Sequence, residues 1–467
     1  MTARILTSLP LLALLAACST TPAYETPKLA SATPATWKAL DGWKAASPSD
    51  HVDRGDWWTL LGDPQLDALA QRVKVNNQTI ASAEAAYRQA RALVKEQRAS
   101  LFPAIDLSGS ATKTGGGGAS SSSKGERYQA GIGASWEPDV WGRIRGAVNN
   151  AKASAQASAA DLAAAELSAQ GELATNYLGL RQTDAEIALV QATVEGYQRS
   201  LKITQNRYDA GIAPRSDVLQ AQTTLANAQS TLEGLAQTRA TYENAVAVLV
   251  GEPASSFTIA ADPNWSATVP EIPVGLPSTL LERRPDVAAA ERRVAAANAE
   301  IGVARAAYFP TFTLTGDGSS SATKLGDLFA ASTNTWSLGL AAAQTLFDAG
   351  ARKAQVAQAR ASYDAAAADY RQTALEAFQD VENQLTAVRV LERQYALLQT
   401  ASTAADQTEQ MLLNQYRAGQ VAYTDVVTAQ ASALSARREL ATARVSRQAA
   451  AVALVQALGG GWTGVKE

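Results

Sequence analysis

The sequence predicts an α+β chain made of one unit written twice, each copy a β-hairpin set among long coiled-coil helices. Three observations predict it. The first is a repeated phrase. Arg207–Gln222 reads RYDAGIAPRSDVLQAQ and Gln415–Gln430 reads QYRAGQVAYTDVVTAQ, with Tyr208/Tyr416, Gly211/Gly419, Asp217/Asp425 and Gln222/Gln430 all 208 residues apart. Upstream, Glu84, Arg98, Phe102, Pro103, Leu107 and Gly109 recur 207 residues on as Glu291, Arg305, Phe309, Pro310, Leu314 and Gly316. An offset held across glycine, proline and aromatic landmarks marks a tandem duplication of roughly 200 residues. The second observation is a period of two. Tyr128, Ala130, Ile132, Ala134 and Trp136 alternate with Gln129, Gly131, Gly133 and Ser135, and Trp336, Leu338, Leu340 and Ala342 alternate with small or polar residues. The third is a run of sevens: Leu173, Leu180, Ile187, Val194, Leu201 and Tyr208, echoed by Val381, Val388 and Tyr395. Sustained sevens form a coiled-coil seam.

The N-terminus reads as an address. Arg4 precedes the apolar stretch Ile5–Ala17, which has the length of a signal-peptide core and is too short to span a bilayer. Leu15-Ala16-Ala17-Cys18 resembles the lipobox of bacterial lipoproteins, so residues 1–17 are expected to be a signal peptide and Cys18 the lipidation site. Ser19 in place of Asp favours, by the same resemblance, the outer membrane. Residues 18–60 are expected to be a lipidated tether, because Thr20–Ser49 is rich in Ala, Thr, Pro and Ser. Repeat one then spans 61–270 and repeat two 271–467.

Each repeat reads in one order. A helix of about 64–101, or 278–308, is stopped by Phe102-Pro103 or Phe309-Pro310, because proline cannot continue it. Two strands follow, within about 104–137 and 311–345. In repeat one a Gly/Ser loop, Gly115–Glu126, joins them. Next come the long runs Trp141–Tyr208 and Gly350–Tyr416, each about 100 Å if unbroken at 1.5 Å per residue. The repeated phrase closes each run with a glycine, and a helix of about 35 residues returns. Ser216-Asp217 and Thr424-Asp425 are expected to supply the caps of those return helices.

Strands of nine to ten residues with one apolar face suit a transmembrane barrel, which needs about 9–11 residues per strand. Four strands cannot close one, and an open sheet in lipid leaves edge groups unsatisfied at several kcal/mol each. Other chains must complete the sheet. Two, three or four copies would give eight, twelve or sixteen strands, and the sequence does not choose among them.

The chain resembles the TolC/OprM-type outer-membrane efflux proteins, in the NodT/OprM lipoprotein branch that serves resistance-nodulation-division (RND) pumps. The residues that carry the resemblance are Leu15–Cys18, Trp57-Trp58 with Asp63-Pro64, Leu280–Asp286 (LLERRPD), Ala306–Pro310 (AAYFP), the two YxAGxxxxxDV turns and Ala457–Trp462 (ALGGGW). The resemblance implies a homotrimer that closes a 12-stranded barrel in the outer membrane and an α-helical barrel in the periplasm. It implies two partners, a periplasmic membrane-fusion adaptor and an inner-membrane RND transporter, and a passive conduit for drugs or other small molecules. It also implies a gate at the helix-hairpin tip, with Asp209, Arg215, Asp217, Tyr416, Arg417, Tyr423, Thr424 and Asp425 as candidates. Thr424 stands where some relatives carry a constricting leucine. Asp217 and Asp425 are equally expected to serve helix N-termini. Pro285 and Asp286 are expected to start a helix and to bind no ligand.

Composition narrows the alternatives. A net charge of −3 with interspersed signs gives no basic field for nucleic acid. One histidine, His51 in the tether, and one cysteine leave no cysteine-rich metal site and remove the commonest general base, so no catalysis, metal or cofactor beyond the lipid on Cys18 is expected. A coiled-coil structural lipoprotein would share the heptads and the anchor but would not need apolar-faced hairpins. A type I secretion conduit would share the fold.

Overall fold

The computed structural model describes residues 20–29, 36–38, 56–115, 125–265, 269–270 and 284–461. Cys18, His51, Leu280–Arg283, Trp462 and residues 116–124 of the first strand loop lie outside the described residues. The elements are α1 (Pro64–Asn76), α2 (Gln78–Ala99), β1 (Ala104–Thr114), β2 (Gly125–Trp136), α3 (Arg143–Asp209), α4 (Arg215–Leu249), α5 (Pro285–Ala306), β3 (Thr311–Ala322), β4 (Asn334–Ala343), α6 (Ala351–Arg417) and α7 (Tyr423–Ala457). Copies match in length: α2 and α5 have 22 residues each, α3 and α6 have 67, α4 and α7 have 35. No described helix is long and apolar enough to cross a membrane.

The expected single helix over 64–101 is two. Asn77 ends α1 and starts α2: its Oδ1 accepts from the Thr79 and Ile80 amides at 2.9 and 3.1 Å, and its Nδ2 donates to the Leu249 carbonyl at 2.9 Å. Asparagine competes with the helix ladder in this way whenever its side chain can bond locally. In repeat two the expected start near 278 lies outside the described residues; the described helix runs Pro285–Ala306, with Asp286 in its first turn as expected.

The compact units do not coincide with the repeats, because each unit takes a piece of both. The first comprises Met1–Ala30, Ala85–Ala159 and Ala289–Gln372. It holds one four-stranded antiparallel sheet in the order β1-β2-β3-β4. Side chains that pair across the strands share a face. One face carries Leu107, Ile132, Leu314, Leu338 and Leu340; the other carries Asp106, Ser108, Gln129, Gly133, Thr315 and Asp317. The apolar face is bare: Leu107 is 86% exposed, Trp336 80% and Leu338 77%. Every residue of β1 and β4 is exposed, and both strands are edges.

The tether expectation fails for the first described stretch of the N-terminus. Residues 20–29 form no helix or strand but are strapped to α5 and the start of α3. Thr20 Oγ1 donates to the carbonyls of Trp141 (3.1 Å) and Gly302 (2.9 Å), Asn298 Nδ2 donates to the Pro22 carbonyl (3.0 Å), and the Tyr24 hydroxyl bonds Glu291. A Cβ on Gly302 would lie 2.1 Å from Thr21 Oγ1, so glycine there makes room for the strap.

The second unit comprises Ser31–Glu84, Ala160–Ala288 and Thr373–Glu467. Its core gathers Trp57, Trp58, Leu66, Val73, Leu173, Tyr177, Leu178, Val246 and Phe257. Asp63 caps α1 as Asp63-Pro64 predicts, accepting from the Gln65 and Leu66 amides, and also accepts from the Tyr177 hydroxyl at 2.7 Å and Trp265 Nε1 at 2.6 Å. Beside it, buried Arg181 pairs with buried Asp184 at 2.9 Å, and Arg239 meets the same carboxylate at 2.7 Å. Arg284 of the LLERRPD stretch bridges Asp286 and Asp380. The ALGGG stretch stops α7, with Gly459 and Gly460 at positive φ and Gly460 N–H bonding the Val455 carbonyl at 2.9 Å.

Candidate functional site

The duplicated phrase folds into two copies of one turn, both in the second unit. At the end of α3 the Ile212 amide donates to the Arg207 carbonyl at 2.8 Å and the Gly211 amide to the Tyr208 carbonyl at 2.9 Å. At the end of α6 the same two bonds join Gln420 to Gln415 and Gly419 to Tyr416, both at 2.9 Å. These are paired Schellman closures, and each needs a left-handed residue, supplied by Gly211 (φ 69°) and Gly419 (φ 74°).

The return helices start differently from expectation. Their N-caps are Pro214 and Ala422, neither of which has a side-chain acceptor. Asp217 and Asp425 sit in the first turns, where negative charge meets the helix dipole. Asp425 also reaches back to accept from the Ala422 amide at 3.2 Å, which is the carboxylate half of a capping box. Ser216 and Thr424 therefore do not cap.

Identical backbones carry different side chains. Tyr208, at the end of the first heptad run, is 40% exposed, whereas its duplicate Tyr416 is 3% exposed. Tyr416 packs on Tyr423 with ring centroids 5.1 Å apart, in a cluster with Ala221 of α4 and Val426 of α7. The first turn has Arg215 at the position of Tyr423, so no aromatic pair forms there. Both phenols lie against buried Thr204. Burial raises both hydroxyls, pushing Tyr423 up to about 12.

Of the eight candidates, the structure brings Tyr416 and Tyr423 together. Asp209, Arg215, Arg417, Thr424 and Asp425 are exposed and Asp217 is half-buried. Among the described residues, the charged members form no ion pair with one another within the chain; Asp209 accepts from Gln205 at 2.9 Å. Sequence reasoning missed Arg207. Its guanidinium lies 4.7 Å from the Tyr416 ring centroid and its Nη1 donates to the Tyr416 carbonyl at 3.2 Å, joining the first hairpin to the second. The only signal available was the difference Arg207/Gln415 inside an otherwise repeated phrase.

An apolar-faced sheet with two free edges, carried with long helices that end in paired turns, defines an outer-membrane channel. A family model described as outer membrane efflux protein matches residues 69–252 and 276–460, once per repeat, and the chain belongs to that family. It is similar to the pyoverdine export outer membrane protein OpmQ of Pseudomonas aeruginosa, 32% identical over 458 residues that cover 96% of this chain and 95% of that one. It is also similar to the toluene efflux pump outer membrane protein TtgC of Pseudomonas putida, at 30% over 466 residues covering 96% and 94%. Among solved structures, the outer-membrane channel OprN superposes with a TM-score of 0.86 at 30% identity, covering 95% of this chain and 99% of that one. The open-state MtrE outer membrane channel of Neisseria gonorrhoeae gives 0.83 at 28%, covering 96% and 100%. The chain is an outer-membrane efflux channel protein, as the sequence resemblance implied.

Proposed function

We propose that three copies of this chain close a 12-stranded barrel in the outer membrane and a helical tunnel in the periplasm, and that the assembly is the exit duct of a tripartite efflux pump. An inner-membrane RND transporter supplies the energy and a periplasmic adaptor docks on the helices. Drugs or other small molecules pass unchanged, with no bond made or broken by the chain and no cofactor beyond lipid on Cys18. The observation that carries this reading is the sheet: β1 and β4 are unpaired edges and the apolar face is bare, a state that lipid tolerates only when further strands complete the ring. An apolar stripe on α6, Val390, Leu397 and Met411, is 42–71% exposed at heptad spacing and is suited to a neighbouring helix.

The turns form the gate. Among the described residues Arg417, Arg215, Asp209, Asp217 and Asp425 have no ion partner within the chain, which leaves them available to pair between copies, while Arg207, Tyr416 and Tyr423 hold the two hairpins of one copy together. Single-channel conductance in a planar bilayer, with the mass in detergent, tests the proposal. A trimer of small conductance that rises in Asp425→Ala or Arg417→Ala is expected. A trimer already at full conductance would remove the gate, and a non-conducting monomer would remove the channel.

A further inference from the structure

The two hairpins obey the duplication residue for residue. Ala104 pairs with Ser135 in the first, and their duplicates Thr311 and Ala343 pair in the second. Leu107 with Ile132 likewise recurs as Leu314 with Leu340. Adding 207 to the β1 numbers and 208 to the β2 numbers therefore carries β1–β2 onto β3–β4. The seam between the repeats, β2–β3, is a third register, in which Ala134 pairs with Gly316, Gly133 with Asp317 and Gly131 with Ser319. Applying the same offsets to that seam, 208 forward for β2 and 207 back for β3, takes β2 onto β4 and β3 onto β1. Within one chain β4 and β1 are opposite edges of the sheet, three strand spacings or about 14 Å apart. The shifted seam has to be made with a second copy.

We propose that β4 of one copy pairs antiparallel with β1 of the next in one defined register: Ala342 opposite Gly109, Ala341 opposite Ser110, and Gly339 opposite Thr112. This rests on the reading that several copies close the barrel, and adds which residues meet. Two further observations support it. This register sets Leu340 opposite Ala111 on the apolar face and Ala341 opposite Ser110 on the polar face, whereas a slip of one residue would cross the faces. The same operation also lays α2 of the next copy along α6, as α5 lies along α3. Asn150 of α3 donates to the Ala296 carbonyl of α5 at 3.0 Å within the chain. On α5, Val294, Ala296, Ala299 and Ile301 are buried. Their duplicates on α2 are Tyr87, Gln89, Ala92 and Val94, of which Gln89 and Ala92 are exposed and the other two half-buried. The partner that covers α2 is thus a second copy of this chain.

Engineered cysteines in the full-length protein test the register. Ala341→Cys with Ser110→Cys is in register; Ala341→Cys with Ser108→Cys, or with Thr112→Cys, is off by one pleat in either direction. The wild-type chain controls for Cys18. A disulfide needs Cα atoms within about 7 Å, so a pair some 14 Å apart cannot close inside one chain. Oxidation in membranes is expected to give covalent trimer for the in-register pair and at least about tenfold less for either control. Ala343→Cys with Ser108→Cys, in the same register, serves if the first variant does not assemble. A trimer by mass in which an off-register pair links best, or in which no pair links, overturns the register alone. A monomer by mass overturns the barrel reading and the seam with it.

Discussion

The guanidinium of Arg207 stacks 4.7 Å from the ring centroid of Tyr416 and bonds its backbone carbonyl, so the last turn of α3 is clamped to the last turn of α6. A cation–π contact at a partly buried site with a charge-assisted hydrogen bond contributes about 2 kcal/mol. Arg207→Ala is expected to shift the ratio of closed to open channels by about thirtyfold, at 1.4 kcal/mol per tenfold. Single-channel open time is the readout, with Arg207→Lys intermediate because it keeps the charge and loses the planar fork. Open times equal to wild type in both variants would show that the two hairpins are held by something else.

The Tyr416–Tyr423 pair makes the second hairpin sensitive to alkali. Burial pushes the Tyr423 hydroxyl up to about 12, against about 10 in an unfolded chain, so the folded hairpin favours the neutral phenol. Its contribution to stability is complete below about pH 10 and is lost as the pH rises toward about 12, where the unfolded chain ionises first. The melting temperature in detergent should fall across that window, and Tyr423→Phe should flatten the fall. An identical slope in the Phe variant would assign the effect to another group.

The N-terminal strap depends on Gly302. A methyl group there meets Thr21 Oγ1 at 2.1 Å and the Thr21 Cα at 2.6 Å, and the second contact cannot be relieved by a rotamer change. Gly302→Ala gains up to about 1 kcal/mol of helix propensity and still displaces the strap, because overpacking against backbone costs about 1–3 kcal/mol. Chymotrypsin should then cut after Tyr24 in the variant and spare it in the wild type. Protection of Tyr24 in both would mean that the strap is held without this contact.

Much of this fold is written in the chain, and the reason is its duplication. Two copies of Phe-Pro, of the period-two strands and of the YxAG turn gave each element an internal check, and the strands and helix pairs fall within a few residues of expectation. The Asn77 break was not legible, because an asparagine acts as a cap only when a partner such as the Leu249 carbonyl is in reach. The Arg181–Asp184–Arg239 cluster joins residues 55 positions apart, a distance no periodicity reports. The candidate turn cluster was half legible. Tyr416 and Tyr423 flank the repeated turn and were named for that and for the family resemblance, but Arg207 becomes visible only once α3 and α6 end side by side. Tyr208 showed the converse: it continues a heptad run and is left exposed, while the residue before it, Arg207, makes the contact with α6.

The two free edges of the sheet have a kinetic consequence. A lone chain that entered the bilayer would carry unpaired strand backbone into hydrocarbon on both sides, at several kcal/mol per group. Insertion is therefore downhill only after copies have met, and its rate rises steeply with chain concentration. One copy whose β1 cannot pair would stall the neighbours it joins. A minority of such chains would then silence a larger share of the finished ducts.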